Sequence, residues 1–97
     1  MLAALCTIDL RLPACQSLKE KRHVIKSLTS GLRSKFNVSV AEVDHQELWQ
    51  RATLGVSTVA GERYHIRKVM HEVEKFVSRD PAVDIIDTFM TLHAQDD

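Results

Sequence analysis

The sequence predicts an α/β sandwich of the α+β kind, in which one four-stranded antiparallel sheet carries two helices on a single face. Three observations lead there. Two amphipathic segments of helical period alternate with four strand-length apolar segments, in the order strand, helix, strand, strand, helix, strand. The 97 residues suffice for one modest core and make a second domain implausible. No internal repeat or low-complexity linker interrupts the order.

Residues 2–11 place Leu2, Ala4, Cys6, Ile8 and Leu10 on one face and Ala3, Leu5, Thr7, Asp9 and Arg11 on the other, the period-two pattern of a strand. Pro13 lacks an amide donor and ends the pairing. Ser17 and Glu20 then spell S-x-x-E, a capping box in which each side chain accepts from the other residue's free amide, so a helix is expected over 18–35. Leu18, Ile25, Leu28, Leu32 and Phe36 share its core face. Gly31 falls away from that stripe and, at about 1 kcal/mol against alanine, is the weak point of the helix.

Residues 37–43 and 51–60 are valine-rich and are expected to form a hairpin. In the connection, Asp44 is placed to N-cap a single helical turn that would bring Leu48 or Trp49 back onto the core. A second helix is expected over 62–78, with Ile66, Val69, Met70, Val73, Phe76 and Val77 inward, and Asp80-Pro81 stops it. Residues 83–92 alternate only loosely, so both faces of the last strand carry apolar side chains, and 93–97 read as a short acidic tail.

The simplest packing of this order is the ferredoxin-like βαββαβ sandwich, with spatial strand order four, one, three, two. Both helices then cover one sheet face. The other face carries Leu5, Val43 and part of strand four uncovered, an apolar patch of the kind that calls for a partner.

Thirteen Lys plus Arg balance thirteen Asp plus Glu, so overall charge selects neither a nucleic acid nor a membrane as partner. The distribution is segregated: residues 1–36 carry seven basic and two acidic side chains (+5), 37–62 one and four (−3), 63–79 five and two (+3), and 80–97 none and five (−5). Cys6 within a strand pattern and Cys15 in the next loop suggest reduced thiols and not a secreted disulfide framework. The apolar start lacks a preceding basic region and is broken at Thr7 and Asp9, which fits a strand and not a signal peptide. No segment approaches the roughly 20 apolar residues of a membrane span, and a soluble cytoplasmic protein is expected.

The densest charge feature is on the first helix, where Lys19, Arg22, Lys26 and Arg33 fall in one stripe beside the apolar face and Lys21 and Lys35 on the opposite shoulder. Cations in the first turns oppose the helix dipole by up to about 1 kcal/mol each at low salt, so stability alone does not select them. A row of cations is what a phosphate backbone attracts, and Lys19, Lys21, Arg22, Lys26 and Arg33, with Arg63 and Arg67 on the second helix, are the candidate nucleic-acid-binding residues. The alternative is a solvated basic flank. Tyr64 is expected to cover the start of the second helix, and recognition of bases on the sheet face is rejected because strand three has no aromatic residue to stack on them.

Catalytic and metal-binding patterns are missing. The five histidines have no ligand spacing and neither cysteine sits beside one, so no metal and no cofactor is expected. Neither a P-loop, a dinucleotide fingerprint nor a nucleophile elbow occurs. A phosphatase of this fold would need an arginine and an asparagine converging on a phosphate-cradling loop. Arg11 and Asn37 are the only candidates and the loop at 12–16 lacks glycine, so no enzymatic activity is expected.

The stretches Ser17-Leu18-Lys19-Glu20-Lys21-Arg22 and Phe36-Asn37-Val38-Ser39-Val40-Ala41-Glu42-Val43, followed by Leu48-Trp49-Gln50-Arg51-Ala52 and Leu54-Gly55, resemble the YlxP-like small bacterial proteins of unknown function. The resemblance covers essentially the whole chain. It implies a ferredoxin-like fold in a cytosolic bacterial protein whose family is often encoded beside translation initiation and ribosome-maturation factors, and it implies no activity. With the basic helix, it leads to the expectation of a non-enzymatic module that contacts ribosomal RNA or a ribosome-associated protein. The competing expectation is a structural or protein-interaction homodimer, paired through the open sheet face or an edge strand.

Overall fold

The computed structural model describes residues 1–96, in the order β1 (Leu2–Arg11), α1 (Leu18–Lys35), β2 (Ser39–Asp44), β3 (Arg51–Ala60), α2 (Arg63–Ser78) and β4 (Asp84–Ala94). The strands form one sheet in the order β2-β3-β1-β4, and every neighbouring pair is antiparallel. This is the expected ferredoxin-like arrangement. β1 and β3 pair without interruption from Leu2↔Ala60 to Arg11↔Arg51. Both edge strands are bulged at the same level: β4 beside Asp9 and Leu10, and β2 at Val43, between its partners to Leu54 and Thr53. Bulges shorten the regular edge and discourage pairing with another chain.

The bulge in β4 accounts for its loose alternation. Asp9 faces Asp87 but Leu10 faces Ile85, so Ile86 is an extra residue and the inward set shifts by one on either side of it. His93 and Ala94, expected in an acidic tail, complete β4 opposite Ala3 and Leu2. Asp97, the last residue of that expected tail, lies outside the described residues.

Alternation sends Ala4, Ile8 and Leu10 of β1 and Ala52, Leu54 and Val56 of β3 against Ile25, Leu28 and Leu32 of α1 and Ile66, Met70, Val73 and Val77 of α2. Leu12, Cys15 and Val83 extend this core into the connections. Leu18 and Val69, also expected inside, are half-buried. No helix among the described residues is long and apolar enough to cross a membrane.

Ser17 caps α1 as expected, its Oγ accepting from Glu20 N at 3.1 Å, but the return bond goes one residue further back, from Gln16 N to Glu20 Oε2. Gly31 corrects the expectation of a weak outward point. A Cβ there would stand 2.8 Å from Phe76 Cζ, so the glycine is what lets α2 pack closely. Phe36 meets Phe76 edge-on at 6.0 Å, and Lys35 Nζ lies over both rings.

The β2–β3 connection also differs. Asp44 caps no helical turn; its Oδ1 accepts from His45 N, His45 takes a φ of 62°, and Leu48 N–H closes a turn onto His45 O. Neither Leu48 nor Trp49 reaches the core, and Trp49 is 51% exposed. The loop is nonetheless anchored. Gln50 Nε2 donates to the carbonyls of Pro13 and Cys15, and Gln50 O accepts from Leu12 N.

Candidate functional site

α1 enters from the Arg11 end of β1 and α2 from the Ala60 end of β3, so the helices run antiparallel and begin at opposite ends of the sheet. The seven candidate cations are therefore not one surface. Lys19, Arg22 and Lys26 lie at one end, exposed, and Arg63 and Arg67 at the other, also exposed. Among the described residues none of these five has an ion-pair partner.

Lys21 is a correction. Its side chain is 1% exposed, with Nζ 2.7 Å from Glu42 Oε2 and donating to His45 O. A buried ammonium holding a carboxylate and a carbonyl is unavailable to phosphate. The spacing carried the signal: Lys21 stands four residues before Ile25 and seven before Leu28, inside the apolar stripe, and Glu42 shares the inward parity of Val40. Arg33 is exposed but occupied, since its Nη2 donates to Val40 O at 2.7 Å and so caps a carbonyl of the β2 edge. What remains of the stripe is Lys19, Arg22 and Lys26, over about 10 Å of helix axis on the flank toward β2. Tyr64 was expected to cover the start of α2, and it is instead one of the most exposed side chains.

Arg11 and Asn37 do not converge. Arg11 closes β1 opposite Arg51, whereas the carbonyl of Asn37 accepts from Thr58 Oγ1 near the other end of β3. Among the described residues no group of three His, Cys, Asp or Glu side chains is placed to hold a metal ion. Burial raises both cysteine thiols above the ordinary 9.0, with nearby carboxylates adding to the effect, Glu74 at Cys6 and Glu20 at Cys15.

The open sheet face is apolar over much of its extent. Leu5, Val43, Val59 and Phe89 are exposed on it, and Phe89 most of all at 66%. A shallow trough of about 410 Å³ runs between Val43 and Phe89, floored by Leu5, Thr7 and Gly55. Leu5, Val43 and strand four were legible as uncovered in the sequence. The trough was not, because it depends on Gly55 and on the bulge that leans Val43 over it, where a Cβ would come within 2.9 Å of Val43 Cγ1.

The family model described as "Protein of unknown function (DUF503)" matches residues 3–90. The chain is 37% identical over 68 residues to the uncharacterized protein YlxP of Bacillus subtilis (strain 168), covering 70% of this chain and 74% of the relative. Two solved structures share the fold at 11% identity: a de novo designed protein with a ferredoxin fold, LFR1 1, at TM-score 0.54 (98% of this chain, 88% of that one), and the designed protein Foldit4 at 0.52 (97% and 99%).

Proposed function

Because the chain belongs to the DUF503 family of proteins of unknown function, we propose its role from its own surface: a non-catalytic module that binds a phosphate backbone, that of ribosomal RNA, through Lys19, Arg22 and Lys26. The observation that carries this is their common placement. All three are exposed on one flank of α1, and none has an ion-pair partner among the described residues. Lys19 and Arg22 also sit in the first turns, where the helix dipole disfavours them. The translation-factor neighbourhood implied by the family resemblance supports RNA as the polyanion and the cytoplasm as the compartment. Arg63 and Arg67, at the far end, belong to a separate contact or to none.

The test is co-sedimentation with ribosomes from lysate at low and high salt. Phosphate contacts release counterions, so association is expected at low salt and should fall steeply as salt rises. Absence of the protein from ribosomal fractions at low salt would overturn the proposal.

A further inference from the structure

The open sheet face carries a protrusion and, beside it, a recess. Phe89 stands out from edge strand β4, while the trough lies over the central pair at Thr7 and Gly55. A surface bearing both a knob and its hole is self-complementary, which is what a two-fold interface requires. We infer that this face is covered by a second copy of the chain, with Phe89 of each copy seated in the trough of the other.

Area supports a second copy. Three strands about 33 Å long and the six-residue β2, about 20 Å long, set about 4.8 Å apart, give a face of roughly 570 Å² in projection, of the order of the roughly 800 Å² that each partner contributes to a stable interface. The bulges in β2 and β4 make lateral edge pairing the weaker alternative, and Arg33 already occupies a carbonyl of β2. A small molecule is a poorer occupant, because no charged side chain lines the trough to orient one.

The positions of knob and hole also fix the orientation. Phe89, Thr7 and Gly55 stand at one level across the sheet, so the two-fold that exchanges knob and recess runs along the strands. The two sheets then pack with their strands aligned, one of the two preferred ways in which sheets pack face to face. That axis brings the carboxylates of Asp9 and Asp87, which face each other beside the trough within one copy, toward those of the partner, a repulsion that salt screens.

Sedimentation equilibrium of the purified chain from low to high micromolar concentration tests this. A dimer is expected, weakened about 30-fold or more by Phe89→Asp, the loss typical of a central aromatic anchor. Trp49→Ser, at another exposed aromatic in the β2–β3 loop, should leave the dissociation constant unchanged. In a mixture of isotope-labelled and unlabelled protein, intermolecular nuclear Overhauser contacts should join the Phe89 ring to the methyl groups of Leu5 and Thr7. A monomer throughout the range, or a dimer that survives Phe89→Asp, overturns the inference.

Discussion

Lys21 Nζ lies 2.7 Å from Glu42 Oε2 in a contact almost sealed from solvent, joining the first turn of α1 to edge strand β2. The same ammonium donates to His45 O and so fixes the left-handed residue from which the β2–β3 loop departs. A cation placed in the interior explains why one lysine of the basic helix α1 is sealed from solvent.

Removing one member of this pair strands the other without compensation. Lys21→Ala should cost about 3–5 kcal/mol in urea unfolding, toward the lower end because Glu42 keeps some contact with water. Lys21→Met with Glu42→Leu should recover most of the loss, since an apolar pair of similar volume avoids the desolvation of two charges. The single variant should also loosen the loop, read as a change in iodide quenching of Trp49 fluorescence.

Gly31 makes a second prediction of sign. An ordinary glycine-to-alanine change inside a helix gains about 1 kcal/mol. Here the new methyl meets a Phe76 ring confined by Phe36 and Lys35, so Gly31→Ala should show no gain, or a loss of about 1 kcal/mol from overpacking. The same change in a Phe76→Leu background should recover the helix benefit. Equal effects in both backgrounds would show that the contact carries no weight.

These two residues mark what was legible in the sequence. Element order, topology and most of the core followed from periodicity, because burial imposes period two on strands and 3.6 on helices. Gly31 was placed by the same periodicity on the correct side of α1, away from the sheet. What faces that side is α2, a tertiary relationship that no local pattern encodes. Lys21 differs: a lysine is expected on a shoulder of the apolar face, in solvent, while its spacing to Ile25 and Leu28 turns it inward. Trp49 was expected inside because tryptophan usually is, yet an Asp44–His45 turn directs its loop outward. Of the candidate cations, the sequence could show a stripe on each helix, but the antiparallel helix pair separates Arg63 and Arg67 from Lys19.

Alkaline pH should destabilise the fold through its thiols. Desolvation raises Cys6 and Cys15 above 9.0, so the folded state favours the neutral thiol. That contribution is intact below 9.0, where both states are protonated, and is lost as pH rises through the raised folded values while the unfolded chain ionises first. Urea midpoints should fall above pH 9.0, and Cys15→Ala should make the fall shallower. Thiol-specific reagents should label Cys15 slowly in the native protein, because it is buried and poorly ionised.

The most direct test of the central claim is the salt dependence of binding to ribosomal RNA, compared between the wild type and Lys19→Glu, Arg22→Glu, Lys26→Glu combined. Each phosphate contact contributes about 0.7–0.9 to the slope of log K against log salt, so losing three should flatten it by about 2–3 and weaken binding severely at low salt. The thermal midpoint should hold or rise, since acidic residues suit the first turns of α1, and reversal of Lys68 and Lys75 should matter less. A wild type that binds no RNA at low salt, or a triple variant with an unchanged slope, would contradict the account.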